Sequence, residues 1–472
     1  MNTEEMINKS DTSKSLGYTR VQWALAILVN LTTFSYGLQL GWISPMTKVL
    51  QSPESPVGRP LTDGELSVIA AIPSLGALIS IPFLLYVVDT FGRRCAILII
   101  AVLQLACCII ELYSATSLSL LIARIFCGLG AGGCFHIVPM YVREISQDTI
   151  RGTLGSMNSL FQNFGILVMY SLGGYLSYDT VLYLLVVLPF LTTVLLFKAP
   201  ESPSFLVKKG KSEEACKTVA LLRGLNVNNK EVVSAIDALK KEDDYFNSIP
   251  NITFFTIFKE KAWRRGFIIL FLIFISHGLN GTFFIINGAS RLLADSELNI
   301  SPELQTLAIP LFLTAGTLIT LSSVDKLGRK LLLGTAFTFT GLTFVGLASA
   351  MLAHSYGYVL PGWLTITALL IVVCCYGTAI SPVPFIVAAE MFNFQIRGKL
   401  MACLVALAWS MSFVQVVSFT AITSYLGDYT SYYMFGAINF MGTFMTVVYL
   451  PETGGKSVEE IENELRIGKH NK

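Results

Sequence analysis

Asp89-Thr-Phe-Gly-Arg-Arg94 and Asp325-Lys-Leu-Gly-Arg-Lys330 are one loop written twice, each placed where a long apolar run ends. The charged residues downstream of each loop are duplicated in the same order. Glu144 precedes Arg151-Gly152 by the interval that separates Glu390 from Arg397-Gly398, and Pro200-Glu201-Ser202 is matched by Pro451-Glu452-Thr453. Three charged signatures repeated in order mark two copies of one six-helix membrane unit. That is the pattern of an alternating-access carrier.

Composition agrees. Of 472 residues 53% are hydrophobic and only 14% charged, against roughly 25% charged in soluble domains, and mean hydropathy is +0.63. Lipid is therefore the expected solvent. A net charge of +2 gives no polyelectrolyte character, so no nucleic-acid partner is expected. The first twenty residues are polar and mixed in charge, without the apolar core and small-residue cleavage site of a signal peptide. Nine cysteines show neither disulfide nor metal spacing and read as small packing groups. No cofactor or metal is expected.

A spanning helix needs about 20 mainly apolar residues, and twelve runs qualify. They cover 21–43, 65–88, 95–113, 118–141, 153–176 and 180–198 in one half, then 265–291, 303–324, 330–352, 361–389, 399–424 and 430–450 in the other, and are called helices 1 to 12. The expected division is a tail over 1–20, an N-terminal half over 21–198, a linker with short helices over 199–264, a C-terminal half over 265–450 and a tail over 451–472. Of the 33 Lys and Arg, all but Lys48, Arg59, Arg291 and the intramembrane Arg124 fall on one side, which the positive-inside bias makes cytoplasmic together with both termini. The expectation is a multi-pass monomer of the plasma membrane.

The repeated charges have a physical rationale. Gly92 and Gly328 permit tight turns between antiparallel helices, and Arg is favoured near helix C-termini, where carbonyl dipoles and carboxylates meet it. Asp89, Arg93, Arg94, Glu144, Arg151 and Glu201, with Asp325, Arg329, Lys330, Glu390, Arg397 and Glu452, are expected to form a ring joining the cytoplasmic ends of the two halves. Such a ring is a latch that inward opening must break. Glu111 and Arg124 lie at similar depth on helices 3 and 4. An unpaired intramembrane charge costs about 2.5 to 3.5 kcal/mol, so they are expected to pair and to serve structure.

The two DxxGR(R/K) loops, RIFCGLGAG on helix 4, VPMYVREI followed by RG, PESPSFL and PETGGKSVEEIENE together resemble the sugar porter family of the major facilitator superfamily, from Gly41 to about Glu464. GWISP at 41–45 and LTDGE at 61–65 are similar to the facilitated trehalose transporters of insects. The resemblance implies a twelve-helix fold, no enzymatic activity, and a mid-membrane site for a sugar or polyol lined by amides and an aromatic ring. Amides suit that task because sugar hydroxyls need paired donors and acceptors.

Here the substrate-facing positions depart from the family. Its RGxLGxxxQL on helix 5 reads RGTLGSMNSL, with Ser159 at the Gln, and its QQxSGxN on helix 7 reads FISHGLN, leaving Gly278 and Asn280 and putting His277 at the Ser. GPIPW on helix 10 reads SPVPF, with Phe385 at the Trp, while Trp409 on helix 11 is retained. Candidate substrate residues are accordingly Asn280, Trp409, Ser159, His277, Tyr376 and Phe385, with Gln162 one turn after Ser159 as a replacement amide. Each missing partner costs roughly 1 to 3 kcal/mol in a closed site, so an altered non-sugar substrate and a non-transporting solute sensor are the alternative readings. Proton-coupled relatives carry an acid in helix 1, where this chain has Gln39 in SYGLQLGW. Uniport is expected, with His277 the group that could carry a proton instead.

Overall fold

The computed structural model describes residues 18–248, 256–293, 301–358, 361–392 and 394–467, and all regular structure among them is helical. The N-terminal half contains helix 1 (Arg20–Gly41, continued by Ile43–Leu50), helix 2 (Asp63–Phe91), helix 3 (Arg93–Leu112), helix 4 (Ser117–Cys134, then Ile137–Ile145), helix 5 (Asp148–Tyr175) and helix 6 (Tyr178–Leu196). The C-terminal half contains helix 7 (Lys261–Gly278, then Thr282–Leu292), helix 8 (Pro302–Leu327) and helix 9 (Arg329–Ser355). Helix 10 is Trp363–Cys375, a π-helical turn Tyr376–Ile380, then Val383–Met391; helix 11 is Phe394–Leu426; helix 12 is Asp428–Phe444 with a π-helical end Met445–Tyr449. Ten of these segments are long and apolar enough to cross a membrane by length and composition. Helices 5 and 12 complete the twelve by packing along helices 1 and 9.

Helices 1, 4, 7 and 10 are all interrupted along their length, a regularity hidden from hydropathy because each stays apolar through its break. Interrupted spanning helices are tolerated where freed backbone groups find partners inside the protein. Between helices, close approach is set by small residues. A Cβ at Gly128 of helix 4 would meet the backbone of Pro73 in helix 2, so only glycine allows that crossing. The perimeter is apolar: Ile79, Phe83 and Tyr86 on helix 2, Phe190, Leu191 and Val194 on helix 6, and Phe339 and Leu342 on helix 9 are exposed.

Helix 7 begins at Lys261 rather than 265. Its extra turn is held by the C-terminal helix Val458–Ile467: Trp263 Nε1 donates to Glu462 at 2.8 Å and Arg265 to the Leu465 carbonyl at 2.9 Å. The linker forms Pro203–Lys208, Ser212–Arg223 and Lys230–Ser248, and it docks on the other half. There Gln22 donates to the Leu222 carbonyl (3.1 Å) and accepts from the Gln147 amide (2.9 Å). Each half therefore carries its own cap. The LTDGE motif is a capping box, with Thr62 and Glu65 satisfying each other's backbone amides at the start of helix 2.

Candidate functional site

The two charged signatures build the same network twice. Arg93 grips Glu144 with Nε and Nη2, both at 2.9 Å, and Arg329 reaches Glu390 with Nη2 at 2.9 Å. Ser202 donates to Glu144 as Thr453 donates to Glu390. Glu201 accepts from the Arg93 and Arg94 amides (3.0 and 3.2 Å), and Glu452 from those of Arg329 and Lys330 (2.9 and 3.1 Å). Even the second basic residue repeats, Arg94 donating to the Phe197 carbonyl and Lys330 to that of Leu450. Gly92 and Gly328 have φ of 100° and 84°, and a side chain at either would collide with the glutamate seated above it.

Arg93 and Arg329 begin helices 3 and 9, and each reaches back to a carbonyl at the C-terminal end of the preceding helix, Val88 at 3.5 Å and Val324 at 3.3 Å. Glu144 and Glu390 are paired by these arginines; Arg151 and Arg397 instead donate to the Ser146 and Phe392 carbonyls, which end the preceding helices. Finally, each network joins residues of one half, so in this conformation the described bonds form two separate braces and no ring across the halves. Asp89 meets Lys208 at 3.7 Å on an exposed surface. The side chain of Asp325 lies outside the described residues.

Hydrogen bonds between the halves, among those described, all lie from mid-depth toward the side away from the termini. Ser44 meets Ser290 at 3.1 Å, Tyr170 donates to the Ile286 carbonyl, and Asn163 donates to Thr317 at 2.7 Å. On the termini side the ends of helices 5 and 11 are open. A Cβ placed at Gly152, Gly155 or Gly398 meets nothing within 4 Å.

At mid-depth the breaks gather aromatic rings. Tyr36 of helix 1, Phe135 at the helix 4 break and Trp409 of helix 11 stand edge to face at centroid distances of 5.7 to 6.1 Å, linking the halves. Gln162 packs its backbone against Gly37, beside Tyr36, and the half-buried Ser159 and Gln162 side chains make no hydrogen bond among the described residues. In the C-terminal half, His277 stacks on Tyr376 at 5.9 Å and meets Phe385 edge-on at 5.6 Å, with Phe274 behind.

Asn280 is placed differently from the expectation. It is fully buried, its Nδ2 donating to Thr282 Oγ1 (2.9 Å) and its Oδ1 accepting from the Thr282 amide (3.1 Å), so both ends hold the helix 7 break. Two residues not assigned roles by sequence complete that splint. Gln415 donates to the Gly278 carbonyl (3.0 Å) and accepts from the Gly281 amide (2.6 Å), and Asn439 donates to the Asn280 carbonyl at 3.0 Å.

Glu111 and Arg124 are brought together at 3.6 Å, both about 1% exposed. Sequence reasoning missed what joins them. Gln39 donates to Glu111 at 2.8 Å and accepts from Arg124 at 2.8 Å, while its own carbonyl takes the same Arg124 nitrogen at 2.9 Å. The guanidinium also lies over the Trp42 ring at 5.6 Å.

The family described as Sugar (and other) transporter matches residues 25–465. The Facilitated trehalose transporter Tret1 of Apis mellifera ligustica is 26% identical over 94% of this chain and 88% of its own length. That of Drosophila erecta is 27% identical over 80% of this chain, which spans 44% of that longer protein. Among solved structures, the inward-open xylose transporter XylE from E. coli superposes with a TM-score of 0.76 at 21% identity, covering 94% of this chain and 99% of its own. An auto-inhibited POT family peptide transporter gives 0.62 at 13% identity, over 93% and 99%. At these identities the structural likeness is one of fold.

Proposed function

Because the chain belongs to the Sugar (and other) transporter family, whose members are carriers and not enzymes, we propose that it moves a sugar or related polyol across the plasma membrane by alternating access and without an ion gradient. The observation that carries this reading is the pair of self-contained braces, which let each half move as a rigid body about the aromatic site between them. Trehalose-like disaccharides and hexoses are the first solutes to test, since the similar insect proteins are named for trehalose transport. In this reading Ser159 and Gln162 hydrogen-bond the solute from the N-terminal half, and Trp409, Phe385, Tyr376 and His277 contact it from the other. The braces stand at the cytoplasmic end with both termini, as the positive-inside bias requires. In this state the halves are joined on the outer side and open inward. The protein acts as a monomer, because the site lies between halves of one chain.

Uniport is supported by the surroundings of the intramembrane acid. Glu111 is occupied by Gln39 and Arg124 within the N-terminal half, and helix 1 offers the site no carboxylate. Counterflow in proteoliposomes with labelled glucose, trehalose, fructose and polyols tests the function: exchange of at least one sugar or polyol is expected, and exchange of none by folded, inserted protein overturns it. If uptake rises with an inward proton gradient at zero membrane potential, the carrier is not a uniporter.

A further inference from the structure

His277 stands where helix 10 cannot satisfy its own backbone. The carbonyl of Ile380 would ordinarily accept from the amide four residues on, but that residue is Pro384, which has none. The preceding π-helical turn, closed by Ser381 N to Tyr376 O at 2.9 Å, sets that carbonyl beside helix 7. His277 Nδ1 lies 2.8 Å from it. A carbonyl only accepts, so Nδ1 carries the proton and Nε2 is left as a lone-pair acceptor. Nε2 has no partner among the described residues, and His277 as a whole is about 5% exposed, so its lone pair stands unmatched on a largely buried ring. Around it are Tyr376, Phe274 and the half-buried Phe385, none offering the paired donor and acceptor of an amide.

We infer that His277 determines specificity at the central site, and that the solute class selected is a glycoside bearing an apolar aryl or alkyl group. This rests on the reading of that site as the carrier's solute site. One hydroxyl of such a solute donates to Nε2, the apolar group lies against Phe385, and the remaining hydroxyls turn to Ser159 and Gln162. A plain hexose would leave several hydroxyls unpaired against the aromatic wall, each at a desolvation cost. An aryl group instead gains ring contacts.

The test is isothermal titration of the purified full-length chain in detergent with phenyl β-D-glucopyranoside, D-glucose and trehalose. The phenyl glucoside is expected to bind at least about tenfold more tightly than either sugar, and His277→Phe, which removes the acceptor but keeps an aromatic ring, to weaken it about tenfold. The comparison on the unaltered protein stands even if that variant misfolds. Sugar binding as tight as that of the phenyl glucoside overturns the inference and leaves the sugar-carrier reading intact. A folded His277→Phe protein with unchanged affinity for the phenyl glucoside also overturns it. Binding of none of the three by folded protein overturns both.

Discussion

Glu111 and Arg124 are legible as a pair from depth alone, because two isolated charges in adjacent apolar helices have no other cheap way to exist. Gln39 is not, since a glutamine in an apolar run carries no sign of what it faces. The structure makes it the adaptor, donating to one charge and accepting from the other. Removing a single partner strands a charge that is about 1% exposed. Either Glu111→Leu or Arg124→Leu should therefore cost about 3 to 5 kcal/mol and lower both the melting temperature and the surface expression of the protein. A swap to Arg at 111 and Glu at 124 should recover much of the expression lost in Glu111→Arg or Arg124→Glu, because a primary amide turned by half a rotation presents donor and acceptor in the opposite order. The rescue should vanish when Gln39→Leu is added. Equal recovery with and without Gln39, measured by surface labelling, would show that the amide plays no bridging part.

At the scale of elements, the two glutamate turns look interchangeable in sequence, yet their carboxyls are shifted in opposite directions. At Glu201 burial raises the carboxyl above the usual glutamate range, and the amides of Ser202, Arg94 and Arg93 only partly oppose it. At Glu452 burial is outweighed by the amides of Gly454, Arg329, Lys330 and Thr453, and the carboxyl falls below that range. A raised folded-state pKa means the folded protein binds the proton more readily than the unfolded chain, so this group adds stability as pH falls toward the ordinary value of about 4.3. Glu452 has the opposite sign: its stabilisation is complete above the ordinary value and is lost as pH falls through its own depressed pKa. Melting temperature against pH should therefore lose a component just above the usual glutamate range in Glu201→Gln. Glu452→Gln should leave that window unchanged and remove a component below it. Identical profiles for the two variants would mean that the duplicated turns titrate alike.

Across the whole molecule, the fold is readable because a bilayer leaves few solutions for apolar runs of this length, and the Asp89 and Asp325 loops fix the two-fold repeat. The breaks in helices 1, 4, 7 and 10 are invisible in sequence except at Pro382 and Pro384, since a break made by hydrogen bonding, as at Asn280 with Gln415 and Asn439, leaves hydropathy unchanged. The substrate side is the least legible for the same reason: Asn280 has the family's motif position, yet the hydroxyl and amide of Thr282 claim both of its polar ends. Sequence order says which residues recur, while contact depends also on which conformation is present: here each signature closes within its own half, and a ring across the halves would belong to a conformation closed at that end. That distinction predicts an energetic outcome. Arg93→Ala should lower the thermal stability of the purified protein by about 1 to 3 kcal/mol by stranding Glu144, and Arg329→Ala should do likewise at Glu390. With no partner shared between the braces, the double variant should lose the sum of the two within about 0.5 kcal/mol. A coupling above about 1 kcal/mol in that cycle would mean that the braces engage each other across the halves and act as one latch.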